Sequence, residues 1–158
     1  MLFRSEEAQN GAGPHILLVE DNRVNRDFAT EMLEILGCRV SAAEKGRIAV
    51  EKVTAEDFDL ILMDVQMPEL DGHDATRQIR QLESVTNKPR NPIVALTANA
   101  MKGDREKCMA AGMDDYLSKP VRKSDLRAAL LRWLPEGMRA AIESDVADAG
   151  QAQEARVA

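Results

Sequence analysis

The sequence predicts an α/β fold: a parallel sheet of five strands with helices on both faces. Two observations carry this. Five short apolar runs alternate with helix-length segments, the pattern of repeated βα units. Most of these runs are apolar throughout rather than at every second residue, which suits strands buried on both faces. At 158 residues the chain has room for one domain and some tail.

The first 14 residues are polar, contain Gly11, Gly13 and Pro14, and read as a flexible leader. The first strand is Ile16-Leu17-Leu18-Val19. Asn22 to Asn25 open the next helix, as caps or as partner contacts. In that helix Phe28, Met32, Leu33 and Leu36 fall at i, i+4, i+5 and i+8, an amphipathic stripe, and Gly37 stands where a C-terminal cap belongs. The second strand is Arg39-Val40-Ser41-Ala42, followed by another helix-length segment. The third is Leu60-Ile61-Leu62-Met63. After it, Met67-Pro68 and Leu70-Asp71-Gly72 form a turn-rich loop whose Pro and Gly set the backbone. His73 begins a helical segment with the stripe Ala75, Ile79, Leu82. The fourth strand, Ile93-Val94-Ala95-Leu96, leads to a mixed-charge helix start from Lys102 to Lys107, read as a solvated face, and Gly112 stands at its C-terminal cap. Tyr116-Leu117 is the fifth strand. Ser124 is placed as the N-cap of a last helix with the stripe Leu126, Leu130, Trp133, Leu134, which Pro135 ends. From 135 to 158 the chain is Ala-rich and acidic, a polar tail with room for a frayed helix but no convincing apolar face. The domain is therefore expected over residues 15–134.

Composition narrows the function classes. A net charge of −6 disfavours nucleic acid or anionic lipid as a partner. Two cysteines, Cys38 and Cys108, exclude a disulfide scaffold and lack metal-ligand spacing. No apolar run approaches the roughly 18 residues of a membrane span. Met1 to Asn10 shows no signal-peptide pattern, so a cytoplasmic location is expected. His15 and His73 are isolated and read as surface or capping residues; the methionines read mostly as core and loop filler.

In a parallel α/β sheet, polar chemistry collects beyond the carboxyl ends of the strands. There the sequence places Glu20-Asp21, Asp64, Thr97 and Ser118-Lys119-Pro120. Each alone has an ordinary explanation as turn former, strand residue or solvated charge, but all occur at the same end of their strands. Three crowded carboxylates repel unless a cation intervenes. A hard divalent ion with oxygen ligands relieves this, and Mg²⁺ fits such a set. Lys119 adds an ammonium and Thr97 a hydroxyl. Together they form a pocket for a phosphoryl group, with a carboxylate available as nucleophile.

Four ordered stretches make the chain resemble the receiver domain of two-component response regulators, and more narrowly the receivers attached to hybrid sensor histidine kinases. They are Ile16 to Asn25, Asp59 to Thr76, Pro92 to Asp104 and Ala111 to Pro120. The resemblance implies a flavodoxin-like (βα)5 three-layer sandwich with strand order 2-1-3-4-5. It implies that Asp64 accepts phosphate from a phosphohistidine of a histidine kinase or histidine phosphotransfer protein. Mg²⁺ would be held directly by Asp21, through water by Glu20, and by Asp64 and the backbone carbonyl of Gln66. Thr97 and Lys119 would bind phosphoryl oxygens, Tyr116 would be the aromatic switch, and the Lys119–Pro120 peptide would be cis.

Two other function classes fit less well. A phosphatase of the haloacid-dehalogenase type needs an acidic residue two positions after its nucleophile, where this chain has Gln66. A flavodoxin needs a neutral phosphate loop after strand 1, where Glu20-Asp21 would repel the flavin phosphate. A receiver module that is not itself an enzyme, either separate or part of a hybrid kinase, is therefore the expectation. If the chain is complete, no segment after Leu134 is long enough for a separate output domain, so output is expected through protein contact or phosphate relay.

Overall fold

The computed structural model describes residues 13–98, 102–139 and 142. Most of the expected leader, and the tail beyond 142, lie outside the described residues. The elements are β1 (His15–Val19), α1 (Arg23–Ile35), β2 (Arg39–Ala43), α2 (Gly46–Ala55), β3 (Leu60–Asp64), α3 (Gly72–Thr86), β4 (Ile93–Thr97), α4 (Lys102–Ala111), β5 (Asp115–Ser118) and α5 (Lys123–Trp133). All strand pairings are parallel, in the order β2-β1-β3-β4-β5. This is the flavodoxin-like order that the resemblance implied.

The continuous apolar runs make sense in this sheet because alternate residues supply two separate cores. On one face Ile16, Leu18, Leu60, Leu62, Val94 and Leu96 meet α1 through Met32 and Leu33, and α5 through Leu126 and Leu130. On the other face Leu17, Val19, Ile61, Met63, Ile93 and Ala95 meet α2, α3 and α4 through Ala49, Val53, Ala75, Ile79 and Cys108. The central strands β3 and β4 are buried from end to end, whereas the edge strands β2 and β5 are only partly buried. The layers are thus helix, sheet, helix.

The helix ends follow local chemistry. Asn22 caps α1 by accepting from Asn25 N–H at 3.0 Å, and Asp71 caps α3 by accepting from Asp74 N–H at 2.9 Å. Gly37 stands just past α1 with φ +96°, a conformation costly for any residue with a Cβ. Three local expectations need correcting. Phe28 is not on the buried stripe of α1; the stripe is Ala29, Met32, Leu33 and Leu36, and Phe28 lies on its rim, 58% exposed. Ser124 is inside α5 rather than at its N-cap. Arg122 takes that place, because the Asp125 carboxylate reaches back to Arg122 N–H at 3.4 Å. The apolar packing also continues past Leu134: a helical turn follows at 136–139, Met138 packs against the core, and Ile142 is fully buried in it.

At the amino-terminal end of the sheet, Arg80 on α3 ties together the loops before β4 and β5. It donates to Glu83 at 2.8 Å, to Asp114 at 2.8 Å, and to the carbonyls of Gly112 and Asn91. Glu83 in turn accepts from Asn91 N–H, and Asp114 from Ile93 N–H. Every charge in the cluster is met by hydrogen bonds, which offsets its removal from water. Deleting Arg80 takes a charge partner from the largely buried Glu83 and one of two from Asp114, which keeps Arg90 at 2.7 Å. Arg80→Met is expected to destabilise the fold by about 3–5 kcal/mol, read by urea unfolding, whereas Arg23→Met, at an exposed pair with Asp27, leaves stability nearly unchanged.

Candidate functional site

The site is built where β1 and β3 run out. Past β1 the chain stays beside β2, with Glu20 N–H donating to Ala43 O at 3.0 Å, and then turns at Asp21 into α1. Asp64 is the last residue of β3. Gly72, at the start of α3, lets that helix press against the same spot. A Cβ there would sit 2.3 Å from Asp64 O and 2.9 Å from Val65 Cα, so any larger residue would push the Asp64 backbone aside.

Glu20, Asp21 and Asp64 each offer a carboxylate oxygen, and these lie within 4.8 Å of one another. Glu20 and Asp64 are 2% exposed, whereas Asp21 faces solvent. Lys119, which follows β5, bridges the two buried acids: its Nζ is 2.8 Å from Glu20 Oε2 and 3.1 Å from Asp64 Oδ1. The backbone helps. Asn22 N–H donates to Glu20 Oε1 at 3.2 Å and Gln66 N–H to Asp64 Oδ1 at 3.2 Å. Thr97 closes β4 in register with Ser118 and is 4% exposed. Lys119 N–H donates to Thr97 O at 2.7 Å, and the Lys119–Pro120 peptide is cis. Tyr116 lies on β5 opposite Ala95, with the Arg105 guanidinium 5.6 Å from its ring centre.

One ammonium does not balance this acid. Burial and the neighbouring Glu20 push the Asp64 carboxyl up to about 7, against the opposing pull of Lys119. Burial alone would lower Lys119; its bonds to Glu20 and Asp64 outweigh that and raise it. A buried carboxyl that resists ionising beside two other acids fits a site for a hard divalent cation. The all-oxygen donor set favours Mg²⁺ over softer metals.

Arg26, on α1, was not among the residues singled out in the sequence. Its Nη1 donates to Glu20 O at 3.0 Å and to Asp21 O at 3.4 Å. A signal was available: a basic residue near a helix N-terminus opposes the helix dipole. Beside Lys119 opens a cleft of about 290 Å³ lined by Asn25, Phe28, Met32, Leu96, Pro120 and Val121. The cysteines lie elsewhere and are buried, which pushes Cys38 up to about 12 and raises Cys108.

Comparison with known proteins places this geometry. The family model described as response regulator receiver domain matches residues 16–131. The sensor protein GacS of Pseudomonas syringae pv. syringae is 44% identical over 126 residues, which is 80% of this chain and 14% of that protein. The signal transduction histidine-protein kinase BarA of Escherichia coli (strain K12) is 41% identical over 76% of this chain and 13% of its own length. The chain thus spans about one-seventh of the length of these curated relatives. Among solved structures, the receiver domain of sensor histidine kinase PA1611 from Pseudomonas aeruginosa PAO1 has a magnesium ion coordinated in its active site cleft. It is 48% identical, with TM-score 0.69, over 77% of this chain and 98% of that one. The receiver domain of Ssk1 from Saccharomyces cerevisiae, solved with the histidine phosphotransfer protein Ypd1, gives 32% identity and TM-score 0.72 over 77% and 89%.

The Asp64 shift sets a pH dependence. In EDTA, native Asp64 keeps its proton up to about pH 7, while an unfolded chain loses it near 3.8. The group therefore supports folding at low pH, and that support is lost as pH rises from about 4 to 7. Wild-type stability in EDTA, measured by urea unfolding, is expected to fall over this window relative to Asp64→Asn; parallel pH curves for the two proteins would refute the assignment.

Proposed function

Because the chain belongs to the response regulator receiver domain family, we propose that it takes a phosphoryl group from a phosphohistidine onto Asp64 and signals by a change in packing. The observation that carries this reading is one buried carboxylate with a lysine 3.1 Å away and two further acids within reach. In the transfer an Asp64 oxygen attacks phosphorus, the phosphorus–nitrogen bond breaks, and the leaving imidazole nitrogen takes up a proton. Glu20, Asp21, Asp64 and the backbone carbonyl of Gln66 would hold Mg²⁺, which when bound supplies the positive charge that lets the acids ionise together and offsets charge on the phosphoryl oxygens. Lys119 binds a phosphoryl oxygen, and Thr97 donates its hydroxyl to another.

The donor in this reading is a histidine kinase or a histidine phosphotransfer protein, as in the complex of the Ssk1 receiver with Ypd1. The cleft beside Lys119 supports it, because its lining is largely apolar and Phe28 stands exposed on its α1 side. Kinship with receivers of sensor kinases such as GacS and BarA points to a hybrid kinase or its relay as the setting.

The readout we propose runs from Thr97 to Tyr116. A phosphoryl group adds about 1.5–2 negative charges and three acceptor oxygens. Thr97 turns toward them, and Tyr116, opposite the small Ala95, fills the space behind. The Thr97–phosphoryl bond is the differential contact such a population shift requires.

With acetyl phosphate and Mg²⁺, label is expected on Asp64, and Asp64→Ala is expected to take up none; labelling of that variant at the wild-type level would sink the acceptor assignment. For the readout, beryllofluoride with Mg²⁺ is expected to change the side-chain resonances of Tyr116, the single tyrosine, in wild type and less in Thr97→Ala. A full shift in the variant would break the coupling.

A further inference from the structure

We infer that Arg26 is a positioning residue for the Glu20–Asp21 pair, setting the affinity of the site for its divalent cation through the backbone rather than through charge. The inference rests on the Mg²⁺ site proposed above. Arg26 N–H closes the first turn of α1 onto Asn22 O at 2.9 Å. From there its side chain leans toward the helix N-terminus, as helical side chains do, and so reaches back over the loop that leaves β1. Its Nη1 lies between two consecutive carbonyls, Glu20 O at 3.0 Å and Asp21 O at 3.4 Å. These carbonyls belong to the turn between strand and helix, outside either ladder.

Fixing both carbonyls fixes the two peptide planes that follow Glu20 and Asp21, and with them the directions of the bonds that carry the carboxylates. The loop has other restraints, Glu20 N–H on Ala43 O and Asn22 N–H on Glu20 Oε1. Arg26 is the side chain among the described residues seen to hold it from the helix. The location is electrostatically unfavourable. A guanidinium near the positive end of a helix opposes the dipole, and a cation beside an acidic cluster competes with any metal bound there. The gain that offsets this is orientation, with one guanidinium nitrogen, Nη1, shared between two adjacent carbonyls.

The two roles of Arg26 have opposite signs. If it acted only as a nearby charge, its removal would make the site more negative and tighten Mg²⁺ binding. If it positions the ligands, its removal weakens binding, typically about tenfold or more for a partner that orients metal ligands. The experiment is Mg²⁺ titration by calorimetry on wild type, Arg26→Met and Arg26→Lys, with melting in EDTA as the control for folding. Arg26→Met is expected to bind about tenfold more weakly while melting near wild type, with Arg26→Lys in between. Equal or tighter binding by Arg26→Met overturns the inference while leaving the metal site intact. Should Arg26→Met fail to fold, Arg26→Lys decides, and a wild-type constant in that variant overturns it. Absence of Mg²⁺ binding in wild type overturns the metal site and this inference together.

Discussion

The repulsion among Glu20, Asp21 and Asp64 is the constraint around which the carboxyl edge of this molecule is arranged. Two of these acids are almost fully buried, and burial of a carboxylate is expensive unless it is paired and hydrogen-bonded. Against them the fold sets one ammonium, from Lys119, and the backbone N–H groups of Asn22 and Gln66. What remains is a carboxyl at Asp64 that resists ionising. A cation from solution would complete the balance.

Such a site needs a stiff frame, and the two-sided core provides it. β3 and β4 are buried from end to end, so the backbone that carries Asp64 and Thr97 has little freedom. Gly72 adds a close contact beneath Asp64 that no other residue would permit. At the opposite edge, the Arg80 cluster fastens the loops before β4 and β5. The polar chemistry is thus gathered at the carboxyl edge, while the amino edge is tied down by charge. On the same carboxyl edge Phe28 stands exposed on the α1 side of the cleft beside Lys119.

Much of this was legible in the sequence, for identifiable reasons. Strands such as Leu60–Met63 are apolar at every position because both faces are covered, and that alone implies helices on either side. The acids and Lys119 could be found because a parallel sheet puts all its strand ends on one edge, so order along the chain becomes proximity in space. Where the reading went astray, a local rule met a tertiary competitor. Ser124 has the chemistry of an N-cap, but Asp125 lies where it can reach back to Arg122. Phe28 follows the helical period, yet Ala29 turns into the core beside it and the ring is left exposed. Ile142 lies in a stretch that reads as a polar tail, because an isolated apolar residue carries no periodic signal; only the core shows the place it fills.

The sequence by itself determined the class of fold, the alternation of its layers and the edge at which polar groups collect, because all three follow from periodicity and chain order. The strand order came from resemblance rather than from any residue pattern, since hydrophobic period does not say which strands are neighbours. Tertiary structure alone decided the electrostatics of the site. That Lys119 spans Glu20 and Asp64, that Asp64 is held protonated toward neutral pH, and that Arg26 grips the carbonyls of the acidic turn all depend on distances of a few ångströms between groups up to a hundred residues apart. Charge–charge energies vary steeply at that range, and no one-dimensional pattern encodes them.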